Sequence, residues 1–126
     1  MVNDHLSNFI TKVRNGYLAG QEFITIKQTN SVEQVAKVLA EEGYLTAVEK
    51  QDKELKVTLK YNKKGPVVMG IRRVSKPGAR VYTGIKELPK VWGGLGKSVL
   101  STPKGIISEK MAKKEKVGGE IICQVW

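Results

Sequence analysis

Between residues 55 and 61 the chain alternates strictly. Leu55, Val57, Leu59 and Tyr61 are separated by Lys56, Thr58 and Lys60. Successive side chains of an extended strand point to opposite faces, so this run has one apolar and one polar side. Such a strand is stable only when it is paired and its apolar side is covered. Tyr44 to Glu49 supplies the partner strand, joined to it through the polar turn Gln51-Asp52-Lys53. Helical stripes supply the cover. Leu6, Phe9, Ile10, Val13 and Tyr17 recur at helical spacing, with Asn3 or Asp4 as cap and Gly16 and Gly20 at the fraying end. Glu22 to Lys27 is a short β-branched strand. Ser31-Val32-Glu33-Gln34 reads as a capping box. It opens a second helix with the stripe Val32, Val35, Ala36 and Leu39, closed by Gly43. Glu41 and Glu42 are neighbours on that helix and cannot converge on one site, which makes them solvated surface.

The segment Asn62-Lys63-Lys64-Gly65-Pro66 concentrates charge, Gly and Pro between apolar runs, and divides the chain into residues 1–62 and 63–126. Beyond it, Pro66 to Val74 is strand-like. Ser75-Lys76-Pro77-Gly78 has the Pro-Gly order of a type II turn. Ala79 to Thr83 is another short strand, and Leu88 to Gly96 is a Gly-rich loop. Lys97 to Thr102, Gly105 to Ser108 and Gly119 to Trp126 complete a mostly β half. A short basic helix, Ser108 to Lys116, is capped by Ser108 and stopped by Gly118-Gly119. The expected class is α+β. An N-terminal α/β unit of two helices and about three strands packs on a C-terminal, mainly antiparallel β domain with one short helix.

Twenty-two Lys and Arg residues against twelve acidic ones leave a net charge of +10. An excess this large points to a polyanion, nucleic acid first. No apolar run is long enough to span a membrane, and the lysines do not gather on one amphipathic helix, so no membrane partner is expected. One cysteine excludes an intrachain disulfide and fits a reducing compartment. The first residues lack the features of a signal peptide, and cytoplasmic residence is the expectation.

Covalent chemistry finds little support. His5 and Cys123 are the only residues of their kinds and lie far apart, so neither a metal nor another cofactor is expected. His5 belongs to an exposed first helical turn, and Cys123 to a buried strand position. Gly96-Lys97-Ser98 has the ending of a phosphate-binding loop, but the required upstream glycine is Val91 and a strand follows. What remains is basic and hydroxyl chemistry. Arg14, Lys76, Arg80, Lys104, Lys113 and Lys114 are candidate phosphate anchors, and Lys12 shares with Arg14 the side of the first helix away from its apolar stripe. Tyr82, beside Arg80, either stacks on a base or fills the core. Ser101, Thr102, Pro103, Lys104 and Gly105 form a stiff, polar corner suited to a phosphate-rich surface. Glu120 either accepts from a base amino group, holds the Ser101 or Thr102 hydroxyl, or is an edge-strand charge that blocks aggregation.

The run Ser101-Thr102-x-Lys104-Gly105 followed by Gly118-Gly119-Glu120-Ile121-Ile122-Cys123 closely resembles the C-terminal signature of the small-subunit ribosomal protein eight family, bacterial type. Phe9 to Gly16, Glu41-Glu42-Gly43-Tyr44, Leu59-Lys60-Tyr61, Arg73 to Gly78, Arg80-Val81-Tyr82, Glu87 to Val91 and Gly94-Leu95-Gly96 follow the family in order. The resemblance implies two α+β domains in tight contact. It also implies direct binding to the central domain of small-subunit rRNA during assembly, beside neighbouring small-subunit proteins. Autorepression through the messenger RNA of the protein's own operon is a further implied role, as is a monomer outside the ribosome. Mapped onto this chain, the family's RNA contacts fall on Ser101 to Gly105, Tyr82 and Glu120, with Lys12 and Arg14 from the first helix. Three positions depart from the family pattern: His5 in place of a frequent proline, Thr29-Asn30-Ser31 in place of Ser-Ser-Lys, and Pro103 in place of a frequent serine. Two other readings compete with it: a regulatory RNA-binding module off the ribosome, and a nucleic-acid-processing enzyme, which would need a convergent acid–base or metal site.

Overall fold

The first helix, α1 (His5–Leu18), starts where Asp4 accepts a hydrogen bond from the Ser7 amide at 3.1 Å. The computed structural model describes residues 4–87 and 94–126, so the alternative cap Asn3 and most of the Gly-rich loop at 88–96 lie outside the described residues. The apolar stripe buries Phe9, Ile10, Val13 and Tyr17. Gly16 does not fray the helix. It is buried inside it, because a Cβ there would lie 2.8 Å from Ile24 Cγ2 and 3.0 Å from Leu59 Cδ1. Gly20 follows the end at φ +67°. His5 is half-buried, against the expected exposure.

Strand β1 (Phe23–Lys27) leads to helix α2 (Asn30–Glu41). The cap of α2 is Thr29, whose hydroxyl accepts from Val32 N at 3.2 Å. The expected capping box at Ser31 is therefore displaced by two residues: the helix already begins at Asn30, so Ser31 lies inside its first turn and the extended Thr29 supplies the cap. Strands β2 (Leu45–Gln51) and β3 (Glu54–Leu59) form the anticipated hairpin, and the antiparallel sheet runs β1-β3-β2. Leu55, Val57 and Leu59 are buried as the alternation requires. Tyr61 departs from it. The Lys60 amide donates to the Tyr17 hydroxyl at 3.1 Å, and the strand ends there. Tyr61 then donates to the Gln21 carbonyl at 2.5 Å from a small hairpin of β4 (Tyr61–Asn62) and β5 (Gly65–Pro66).

The second sheet has the order β6-β10-β8-β9, from β6 (Ile71–Arg73), β8 (Lys97–Thr102), β9 (Gly105–Ser108) and β10 (Gly119–Val125). A short β7 (Tyr82–Thr83) also pairs with β10. The expected strand from Pro66 to Val74 is interrupted, because Met69 N and Gly70 N both donate to the Trp126 carbonyl. The turn at Lys76–Ala79 is closed by reciprocal backbone bonds of 3.1 and 3.0 Å, but Gly78 does not adopt the positive φ that a type II turn demands. The strand after it shortens to Tyr82–Thr83, since the buried Ser75 hydroxyl takes the Val81 amide at 3.2 Å. Helix α3 (Glu109–Glu115) is capped by Ser108, as expected. Lys116 at φ +57°, not Gly118, closes it.

Both sheets share one core. Phe9, Val13, Val35 and Leu39 belong to the same apolar cluster as Leu55, Val57, Ile71, Val99 and Cys123. A smaller cluster of Leu100, Ala112 and Ile121 seats α3. Helix α1 packs on both β1 and β6, and α2 on β2 and β9. Glu42 is half-buried and pairs with Lys97 of β8 at 3.3 Å, so it ties α2 to the second sheet and is not simply solvated.

The displaced cap sets an expectation. Thr29→Ala should lower stability by about 1 kcal/mol, and Ser31→Ala by well under half as much. Urea unfolding of both variants checks it; equal losses would restore Ser31 as the cap.

Candidate nucleic-acid interface

Three strands bring the most specific residues together. Tyr82 of β7 lies opposite Glu120 of β10, and Glu120 lies opposite Ser101 of β8. Residues directly opposite one another share a face of the sheet, so these side chains form one row across neighbouring strands spaced roughly 5 Å apart. Tyr82 is 70% exposed, which places it on the surface and out of the core. Ser101 is half-buried, and no described residue bonds its hydroxyl.

The close pairing depends on the two glycines before Glu120. A Cβ on Gly119 would collide with the Ser101 carbonyl, and one on Gly118 with the Thr83 carbonyl. Backbone atoms cannot swing aside as a flexible side chain can. The corner beyond Ser101 is a tight hairpin turn. Thr102 and Gly105 pair, Pro103 and Lys104 project as its exposed tip, and Gly105 takes φ +104°. The Thr102 hydroxyl donates to the Gly105 carbonyl at 2.9 Å and accepts from Lys104 N at 3.1 Å. That hydroxyl therefore builds the turn, and Ser101 has the uncommitted one.

Glu120 has different partners from those expected. Its carboxylate accepts from the Ser75 hydroxyl and from Arg80 Nη1 at 3.0 Å, not from Ser101 or Thr102. Nor does it lie on an edge, because β10 has neighbours on both sides. Burial pushes the Glu120 carboxyl upward, but the Ser75 hydroxyl and the Arg80 and Arg73 charges outweigh it, and the net shift is below the ordinary value of 4.5. Arg80 is thus partly committed, while Lys76 and Lys104 are exposed with no ion-pair partner among the described residues.

The other predicted anchors are not gathered here. Lys113 and Lys114 are exposed on α3, which packs through Ala112 on the face bearing Leu100 and Ile121, opposite the row. Lys114 instead lines a groove of about 580 Å³ against Gln34, Lys37 and Glu41 of α2. Lys12 is exposed and donates to the Thr25 carbonyl at 2.8 Å on β1. Arg14 is not free. Its guanidinium donates to the Ile71 carbonyl from Nε at 3.1 Å and from Nη2 at 2.5 Å. The two therefore occupy opposite flanks of α1, and no bond joins either to Glu120 or the turn. Sequence reasoning missed Ser75 and Arg73 as parts of the site. Their signal was Arg73 and Ser75 standing two apart on either side of Val74, which puts both on one face of an extended segment.

Cys123 lies behind the row, in the core. Burial drives the Cys123 thiol up to about 12, though Arg73 lowers it somewhat, so the sulfur stays protonated inside the core. No group of three or more metal-ligating side chains occurs among the described residues. No described helix is long and apolar enough to cross a membrane.

The family model for ribosomal protein S8 matches residues 4–126. The chain belongs to the ribosomal protein S8 family. The small ribosomal subunit protein uS8 of Nitratidesulfovibrio vulgaris strain DP4 is 41% identical over 126 residues, covering all of both chains. That of Ruminiclostridium cellulolyticum is 43% identical over 129 residues, covering 99% of this chain and 98% of the relative. The uS8c protein of Angiopteris evecta is 39% identical over 132 residues and covers both chains fully. Membership makes this S8 protein a structural, non-enzymatic ribosomal constituent, part of the ribosome in the cytoplasm.

Two expectations follow from the geometry. Gly119→Ala should destabilise the protein by about 1–3 kcal/mol, the cost of forced overpacking, with denaturant unfolding as the measurement. Glu120 has a folded pKa below its unfolded one, so its contribution is complete above pH 4.5 and fades as the pH falls through the lowered value. Glu120→Gln should therefore flatten the acid limb of the stability profile below pH 4.5, and an unchanged limb would contradict the assignment.

Proposed function

We propose that this S8 protein binds the central domain of small-subunit rRNA directly, through the Tyr82–Glu120–Ser101 row and the turn from Thr102 to Gly105, and so supports subunit assembly. The observation that carries the reading is the register of β7, β10 and β8, which aligns an exposed aromatic ring, an ionised acceptor and an uncommitted hydroxyl on one face. RNA helices present a shallow minor groove of 2′-hydroxyls and base edges, and single-stranded loops present faces that stack on aromatic rings. Ser101 suits the first and Tyr82 the second. Lys76, Arg80 and Lys104 supply cations beside the row, where phosphate contacts set register without reading sequence. Lys12 belongs to a separate first-helix contact, and Lys113 and Lys114 meet RNA or a neighbouring small-subunit protein from the other side of the sheet. On this reading residues 1–62 and 63–126 are two rigid working parts, which limits the ordering cost of binding. The protein is a monomer outside the ribosome. A similarly shaped segment of its own operon's messenger RNA would fit the same surface.

Replacing both hydroxyls, Ser101→Ala with Thr102→Ala, should weaken binding to a central-domain rRNA transcript by on the order of 1–3 kcal/mol at fixed salt. Lys104→Ala should instead lower the slope of log affinity against log salt by about one, the mark of one lost phosphate contact. Filter binding or calorimetry across a salt series measures both, and affinity unmoved by the hydroxyl pair would remove the row from the RNA interface.

A further inference from the structure

A groove of about 430 Å³ opens where the last turn of α1 meets the chain between β5 and β6. Leu18 and Met69 stand on it, 81% and 79% exposed. The backbone under both is fixed. Leu18 is the last residue of α1, and Met69 is held through the Trp126 carbonyl, which accepts from its amide at 2.7 Å and from Gly70 N at 3.1 Å. The Trp126 indole lies against the backbone of Gly70, where a Cβ would collide with the ring. Isolated apolar side chains on a surface are ordinary, but two that share one groove with an indole are not scattered.

The charge of the groove has one sign. Arg14 and Arg72 line it, and no carboxylate does among the described residues. Both guanidiniums are held by neutral oxygens. Arg14 donates to the Ile71 carbonyl, and Arg72 donates to Gln124 Oε1 from Nε at 2.9 Å and from Nη2 at 2.6 Å. A neutral acceptor orients a guanidinium without cancelling its charge, and the five N–H groups leave donors over. Neither arginine has an ion pair among the described residues. The chain carries only four arginines, and two of them are here, whereas no lysine lines the groove among the described residues. That composition is not the one RNA selects, because aliphatic walls give a base nothing to stack on. It is the composition of protein interfaces, which are rich in Arg, Met, Tyr and Trp and poor in Lys.

We propose that this groove is a protein-docking site, and that its occupant is a segment of a second small-subunit protein presenting an apolar side chain beside a carboxylate. The apolar side chain covers Leu18, Met69 and the indole. The carboxylate pairs with Arg72, whose Nη1 makes no bond to a described residue, at the mouth that Arg14 keeps positive. A small ligand inside the groove would leave the outward ends of Leu18 and Met69 in water, and a polypeptide covers both. The site is separate from the RNA row. Arg72 lies opposite Gln124, toward the far end of β10 from Glu120, so the contact adds a partner that the rRNA reading neither requires nor supplies.

The test reconstitutes small subunits from rRNA, the remaining small-subunit proteins of the same organism, and the full chain with the photoreactive p-benzoylphenylalanine in place of Leu18. Irradiation should link position 18 to a second protein, at a segment in which an apolar residue adjoins an Asp or Glu, located by mass spectrometry. Adding Met69→Ser or Arg72→Gln should each cut the yield of that link on the order of fivefold, while affinity for a central-domain transcript stays within about twofold of the parent chain. Neutralising the mapped carboxylate on the partner should cut the yield equally, and should cut it no further in Arg72→Gln. A link to rRNA, a link to a segment without a carboxylate, no link to protein, or a yield that neither change lowers overturns the proposal. So does a reduced salt slope of transcript binding in Arg72→Gln, which would make that residue a phosphate contact. Should Arg72→Gln fail to fold, Met69→Ser and the neutralised carboxylate decide alone.

Discussion

Backbone contact at Gly118 and Gly119 is the constraint on which the second sheet depends. Strand β10 must approach β7 on one side and β8 on the other at the point where both neighbours present carbonyl oxygens, and no side chain fits there. Every other feature of the row follows from that approach. Register brings Glu120 between Tyr82 and Ser101, and the alternation of the strand then sends Ile121 to the opposite face, where it buries α3 with Leu100 and Ala112. One strand thus divides its residues between a polar outer row and an apolar seat, and the two cannot be exchanged without a slip in register.

The positive charge is distributed in a way that bulk composition conceals. A net charge of +10 would serve any polyanion, yet the described cations do different work. Arg14 and Arg73 are structural, one capping the Ile71 carbonyl and one buried beside Asp4. Lys97 of the second sheet pairs with Glu42 at the end of α2. Lys76 and Lys104 remain exposed near the row, Lys113 and Lys114 lie across the sheet from it, and Lys12 lies beside β1. Basic charge on this molecule therefore forms several surfaces around one core, consistent with a protein enclosed by a large ribonucleoprotein and unlike a single electrostatic stripe.

Much of this was legible in the residues. The alternation through Leu59, the stripes of α1 and α2, the Ser108 cap and the three long C-terminal strands all follow from side-chain periodicity and local caps, which act within a few residues. What the sequence concealed was decided by distant partners. The strand ends before Tyr61 because the Tyr17 hydroxyl, 43 residues away, takes the Lys60 amide. Arg14 sits on a polar helix face but finds the Ile71 carbonyl of another sheet. The polar corner was visible as a motif, yet the division of labour between Thr102, which holds the turn, and Ser101, which does not, depends on hydrogen bonds that no spacing rule specifies. Glu120 was singled out correctly as a residue in need of an explanation, and its partners Ser75 and Arg80 came from a segment about 40 residues upstream.

On the proposed rRNA-binding reading, a carboxylate at a phosphate-rich surface is a paradox that its partners Ser75 and Arg80 resolve. Left alone, Glu120 would repel RNA and, being mostly buried, would tend to take up a proton. Ser75 and Arg80 prevent the second, keeping it ionised, and the Arg80 guanidinium 3.0 Å away counters the first by offsetting its charge locally. What reaches the surface is then an acceptor with a cation beside it. Such a group can accept from an RNA hydroxyl or amino group, which a lysine cannot do, and can discriminate against a partner offering only phosphates. On that reading, specificity on this row comes from the one anion among the cations, because cations alone bind every nucleic acid alike.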